Sequence, residues 1–213
     1  MYNTRADLAR EEASISVYDI DNQILSDSLH CHDRDEILLV TNGSGKWRIG
    51  ELEGLFSTGA LSYTRAGALH AFQSNEEGGS VGRVSAIALQ FPREALPKEF
   101  LDLLEATVVR DFFNRVGKGA FVHLREFDRI RARLRTILGS KGMLRIARTH
   151  ALFDLMAHLD GWQVDDNQCL SVRERSDRSR LKTVYQYVDS HFNEPVLRDE
   201  VADLVGMLSL IHI

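Results

Sequence analysis

The run His30-Cys31-His32-Asp33-Arg34-Asp35-Glu36 concentrates imidazole, thiol and carboxylate groups in one short stretch. Such side chains ligate metal ions or hydrogen-bond polar ligands. On an extended strand, residues at even spacing share a face. One continuous strand would therefore point His30, His32 and Glu36 the same way, with Leu38 and Val40 lining the same interior and Cys31 turned outward. A second block opens at Gly59, passes through Arg65-Ala66-Gly67 and ends at His70. His30, His32, Glu36 and His70 are expected to converge. Trp47, Arg48, Tyr63 and Phe72 are further pocket candidates, because small-molecule sites combine aromatic walls with a few polar groups.

The elements that must position these residues are short strands. Glu36 to Thr41 reads as a strand, Asn42-Gly43-Ser44-Gly45 as a turn, and Lys46 to Gly50 as the return strand. Leu61-Ser62-Tyr63, His70-Ala71-Phe72 and Val84 to Phe91 continue the pattern, which suggests a sandwich or barrel from Ala13 to Phe91. From Pro97 the period becomes helical, with Phe100, Leu103, Leu104 and Thr107 on one face. The clearest helix runs from Leu124 to Leu138. Its apolar stripe holds Leu124, Phe127, Ile130, Leu134, Ile137 and Leu138, and its back carries Arg125, Arg129, Arg133 and Arg135. Another helix spans Met143 to Leu159, so the pair reads as a hairpin packed beside the β region or as a dimer surface. Ser171 to Arg180 is polar and mixed in charge, a linker composition.

Bulk properties narrow the class. The chain has 213 residues, 44% hydrophobic and 27% charged, an ordinary globular balance. A net charge of −5 is not that of a free-standing nucleic-acid binder. Two cysteines, Cys31 and Cys169, make no disulfide framework and fit a reducing compartment. The N-terminal stretch has no apolar core of a secretory signal, and no run approaches a membrane span. A cytoplasmic protein with no membrane partner is expected.

The two histidine blocks resemble the paired motifs of the cupin fold, a small jelly-roll β-barrel. The first block matches the His-x-His, Glu and Gly spacing throughout. The second matches at Gly59, Gly67 and His70 but carries Arg65 where the family usually has Pro, and Ser74, with Asn75 beside it, where the family has Asn. In metal-binding cupins the positions matching His30, His32, Glu36 and His70 hold one divalent ion. Such a donor set suits Fe(II), Mn, Ni or Zn. Sensor cupins of regulators instead often hold an organic ligand without metal, and both alternatives stand at the level of sequence.

The segment from Leu181 to Met207 resembles the opening of the DNA-binding domain of AraC-type regulators. An amphipathic stretch ends in His191-Phe192, Asn193-Glu194-Pro195 breaks it, and Leu197 to Met207 resumes helical spacing. Leu197, Ala202 and Gly206 match the first helix of a helix-turn-helix and the start of its turn. No recognition helix follows, and from Arg180 to Met207 three basic residues, Arg180, Lys182 and Arg198, stand against five acidic ones. Specific DNA binding is therefore expected only of a full-length protein. The last six residues, Leu208-Ser209-Leu210-Ile211-His212-Ile213, back-translate to CTG TCT CTT ATA CAC ATC. That string resembles the transposon mosaic end used as a sequencing adaptor, and these residues are expected to be an artefact.

The expected organisation is an α+β chain. Residues 1–95 form a cupin jelly-roll sensor domain and 96–162 a helical hairpin that mediates dimerisation, chiefly through the helix Leu124 to Leu138. Residues 163–180 are a linker, 181–207 a partial helix-turn-helix and 208–213 the artefact. The resemblance implies a ligand-responsive transcriptional regulator, not an enzyme, with a small-molecule effector, a homodimeric state and one divalent metal ion as the candidate cofactor. The alternative is a metal-dependent cupin enzyme of the dioxygenase or isomerase type.

Overall fold

The computed structural model describes residues 14–26, 28–77 and 80–164, and within the C-terminal segment residues 183–184, 187–188, 191, 200–201 and 204. By contacts the chain divides into two units, residues 1–168 and 169–213. Ala13, Cys169, Leu197, Ala202, Gly206, the linker stretch 171–180 and residues 208–213 lie outside the described residues, as does most of the expected helix-turn-helix.

The first unit is α+β, an antiparallel jelly-roll sandwich backed by a helical layer. Its strands are β1 (Ser16–Gln23), β2 (Asp35–Asn42), β3 (Ser44–Ile49), β4 (Leu52–Ser57), β5 (Ala60–Thr64), β6 (His70–Ser74), β7 (Glu76–Glu77), β8 (Ser80–Val81), β9 (Val84–Phe91), β10 (Gly119–His123) and β11 (Gln163–Val164). The large sheet runs β1-β9-β2-β5-β10-β11 and the small sheet β4-β3-β6, while β7 and β8 form a ribbon. The helices are α1 (Lys98–Leu101), α2 (Thr107–Arg115), α3 (Asp128–Leu138) and α4 (Gly142–Ala157).

The large sheet is covered on both faces, which explains why β2 is an unbroken apolar run instead of an alternating one. Ile37 and Leu39 pack on the helices, together with Leu61, Tyr63, Ile87, Leu89 and Phe91. Leu38 and Val40 face the small sheet and meet Trp47, Ile49, Phe56 and Phe72. The small sheet has one wet face, so β3 alternates: Trp47 and Ile49 are buried, Lys46 and Arg48 exposed.

Gly43 does not close a hairpin as the sequence suggested. β2 and β3 are not partners: the chain leaves the large sheet and enters the small one. Gly43 makes this crossing at φ +101°, where a Cβ would stand 2.6 Å from the Arg83 carbonyl oxygen. Only glycine suits such a backbone at such close approach.

The helical zone also differs from expectation. It supplies β10, which pairs with β5 from Gly119↔Thr64 to His123↔Ala60. Gly119 is required there, because a Cβ would overlap Ile49 and lie 2.9 Å from the Tyr63 carbonyl oxygen. Gln163 and Val164, expected to open the linker, pair with Phe121 and Ala120. The single face expected through Phe100, Leu103, Leu104 and Thr107 is broken: α1 stops at Leu101, a 3₁₀ turn spans Leu104–Ala106, and Leu104 is 88% exposed. The helix expected from Leu124 begins at Asp128, and the next runs Gly142–Ala157 rather than Met143 to Leu159. The stripe on α3 is spent within the subunit, with Ile130, Leu134 and Ile137 buried in the core shared by sheet and helices.

Candidate functional site

Glu36 sits near the start of β2 on the face that looks toward the small sheet. Its cross-strand neighbours are Thr64 on β5 and Gln90 on β9. His70 opens β6 in the opposite sheet. His32 lies just before β2. The continuous strand expected through 30–36 is not formed: residues 31–34 are not in a strand, the chain bends at Asp33 and Arg34, and His30 makes only an isolated bridge to His70. His32, Glu36 and His70 come together despite that bend, each offering a ligand atom within 4.8 Å of the others. His32 Nε2 is 3.4 Å from Glu36 Oε2, and His70 Nε2 is 3.8 Å from Glu36 Oε1. His30 stands at the exposed mouth, its ring centroid 4.3 Å from that of His70 and 6.2 Å from that of His32.

Backbone carbonyls set the tautomers. His70 Nδ1 is 2.9 Å from the Ala68 oxygen, His32 Nδ1 is 2.7 Å from that of Arg34, and His30 Nδ1 is 2.9 Å from that of Ser28. A carbonyl oxygen only accepts, so each Nδ1 carries the proton. In the neutral rings each Nε2 is then left with a lone pair. The Nε2 atoms of His32 and His70 face a carboxylate, and His70 Nε2 is buried with no hydrogen-bond partner among the described residues. With both rings neutral, the cluster consists of two imidazole lone pairs and a carboxylate aimed at one point, an arrangement that a cation satisfies.

The charges agree with that reading. Burial pushes the His70 ring down to about 4, against the opposing pull of Glu36. Burial pushes the Glu36 carboxyl up, but His32, His70 and the Gln90 amide together outweigh it and bring it down to about 2. Near neutral pH Glu36 is therefore an anion and His70 a neutral base, the states in which both ligate metals. Gln90, which the sequence reading passed over, donates from Nε2 to Glu36 Oε2 at 2.6 Å and aims the carboxylate. Its signal was a lone amide in the apolar run of β9.

The remaining candidates separate. Trp47 and Phe72 are in the barrel interior, Trp47 stacked on Phe121 at 4.1 Å. Tyr63 is not in the barrel. It faces the helices, its ring edge-on to Phe113 at 5.3 Å and its hydroxyl donating to Asp35 Oδ2 at 2.7 Å. Arg48 is on the solvent face of the small sheet, beside a groove of about 520 Å³ lined also by Lys46, Glu53, Leu55, Ala71 and Gln73. That groove is on the other side of the small sheet from the His/Glu cluster. Cys31 is exposed, although the strand from which its outward direction was expected is not formed. Arg65 is accounted for as well: its N–H donates to the Lys118 carbonyl at 2.9 Å, a bond a proline could not make.

Among the described residues no helix is long and apolar enough to cross a membrane. No protein-family description and no curated protein matches the chain. Among solved structures it is similar to unsaturated fatty acid bound ToxT from Vibrio cholerae, at 10% identity and a TM-score of 0.48, over 92% of this chain and 74% of that one. It is similar to the iron(II) form of HppE at 26% identity and a TM-score of 0.29, over 37% of this chain and 43% of that one. Oxalate decarboxylase from Bacillus subtilis is similar over 47% of this chain and 28% of its own, at 14% identity and a TM-score of 0.32.

Proposed function

We propose that the chain is the sensory part of a ligand-responsive transcriptional regulator of the cytoplasm, with one divalent metal ion held by His32, Glu36 and His70. The observation that carries this reading is the placement of the cluster on a sheet whose other face is sealed by helices. Glu36 faces the cluster and its neighbours Asp35 and Ile37 face the helical layer. Whatever occupies the cluster therefore acts on a strand that the helices grip from behind, and differential binding to two arrangements of that layer would constitute the signal. A bound metal would supply a Lewis-acidic point with positions left open to an effector's oxygen atoms. Below the cluster, Trp47, Phe56, Phe72 and Phe121 fill the barrel.

The full-length protein is the DNA-binding form in this reading, and it acts as a homodimer. Because the α3 stripe is buried, the dimer surface passes to α4, where Met143, Leu144 and Ile146 are 76%, 53% and 38% exposed. A second reading, a metal-dependent cupin enzyme of the dioxygenase or isomerase type, is favoured by one observation. Two histidines and one carboxylate with positions left open form the donor set of non-haem iron oxygenases.

Metal analysis with Co(II) titration tests the centre. The chain should bind one Co(II) with ligand-field absorption, and His70→Ala should weaken binding at least tenfold while the protein stays folded. Equal binding by His70→Ala would remove the metal from the proposal. Metal- or ligand-dependent DNA binding by the full-length protein supports the regulator, and steady turnover by the metal-loaded chain supports the enzyme.

A further inference from the structure

On the back of the His/Glu cluster lies a second buried polar group, centred on Asp35, whose own role has not been assigned. Asp35 is 0% exposed and points into the helical side of the large sheet. Its carboxylate accepts three hydrogen bonds: from Tyr63 Oη at 2.7 Å, from Arg93 Nη1 at 2.9 Å and from the Ala66 N–H at 2.9 Å. Arg93 Nη1 also reaches Tyr63 Oη at 3.3 Å. A carboxylate is seldom buried to this degree, and it persists only when paired and hydrogen-bonded.

The third bond gives the group its meaning. Ala66 belongs to the turn between β5 and β6, and that turn builds the cluster. The Gly67 N–H donates to the His32 carbonyl at 2.7 Å, the Ala68 N–H to the Arg65 carbonyl at 2.9 Å, and the Ala68 carbonyl accepts from His70 Nδ1 at 2.9 Å. Asp35 thus holds the turn that fixes the backbone beside His32 and the tautomer of His70. It does so from the position next to Glu36 on β2. Arg93 opens the 3₁₀ turn Arg93–Ala95 where the chain leaves β9, and Leu96 just beyond it is buried in the core shared with the helices.

We propose that Asp35, clamped by Arg93 and Tyr63, is a positioning residue that pre-sets the His32/Glu36/His70 cluster and ties its geometry to the start of the helical layer. The proposal rests on the metal reading for its ligand but not for its geometry, and the two can fail separately. Asp35→Asn keeps the shape and an acceptor for Ala66 while removing the charge that Arg93 and Tyr63 engage. Arg93→Gln is the milder probe, since Arg93 is partly exposed, and Arg93→Lys is the conservative control.

Two readouts test it in the 213-residue chain. The first needs no metal: imidazole ¹⁵N shifts in the metal-free protein report which ring nitrogen of His70 carries the proton. Wild type and Arg93→Lys should show Nδ1–H, whereas Asp35→Asn and Arg93→Gln should show mixed tautomers. The second is Co(II) titration, in which Asp35→Asn and Arg93→Gln should raise Kd about 10–100-fold and alter the ligand-field band. Arg93→Lys should stay within about threefold of wild type. Should Asp35→Asn fail to fold, Arg93→Gln gives the result. Folded variants with the wild-type tautomer and wild-type Co(II) affinity overturn the clamp. A shifted tautomer in a protein whose wild type binds no Co(II) upholds the clamp and sinks the metal reading alone.

Discussion

The bond from His70 Nδ1 to the Ala68 carbonyl decides what the ring presents on its other side. Because burial holds the folded ring down to about 4, the unfolded chain, with its ordinary value of 6.5, binds a proton there that the folded chain refuses. Stability contributed by this group is therefore complete above about pH 6.5 and is lost as pH falls toward 4. Glu36, held down to about 2 from 4.5, adds a loss at lower pH with the same sign. Urea unfolding of the metal-free protein should lose up to about 1.4 kcal/mol per pH unit across the His70 window. His70→Gln should flatten that window, and an unchanged slope in the variant would contradict the assignment. At this scale the sequence was informative where chemistry and spacing coincide, as at His32, Glu36 and His70. Asp35 and Gln90 were hidden because a single polar residue in an apolar strand announces burial without naming a partner. Tyr63, named as a pocket candidate, could not be given a side for a related reason. Parity shows that Leu61 and Tyr63 share a face, but with both faces of the sheet buried it does not show which one looks into the barrel.

Elements were legible when their hydrophobic period was carried by enough residues. The buried stripe of α3 is the case in point. Leu134 is 0% exposed, and Leu134→Ala should cost about 2–5 kcal/mol in chemical denaturation. Arg129→Ala, on the exposed face of the same helix, should stay within about 0.5 kcal/mol. If both substitutions proved neutral, α3 would not be packed as described. The crossing at Gly43 makes a third case: Gly43→Ala should destabilise by about 1–3 kcal/mol, combining an unfavourable φ with the Arg83 carbonyl oxygen 2.6 Å away. The hairpin reading of the same turn missed the crossing because a glycine-rich turn specifies a reversal but not the sheet that receives the next strand. β10 was not legible at all. Gly119-Ala120-Phe121-Val122-His123 is five residues between helices, and its strand character comes from pairing with β5, which no local pattern encodes.

For the whole molecule, the expected division at residue 95 cuts a sheet that residues 119–123 and 163–164 complete. A fragment ending at 95 would present the backbone of β5 as an open edge of buried-type sequence, Ala60-Leu61-Ser62-Tyr63-Thr64. Such a fragment should aggregate, whereas one spanning 14–164 should be soluble and monodisperse by light scattering; a soluble, folded 1–95 fragment would refute this. The order of strands and then helices was readable because each zone has its own period. That the helical zone returns a strand to the barrel was not readable, since it depends on contacts distant in sequence. The same return sets a schedule for the nascent chain. Thr64 pairs with Gly119, so at ordinary elongation rates β5 leaves the ribosome about 3–11 s before the strand that will cover it. Through that interval the edge of β5 opposite β2 is open to any passing extended chain. Slower translation between those two points should then lower the yield of folded protein, and a chaperone that shields the gap should raise it.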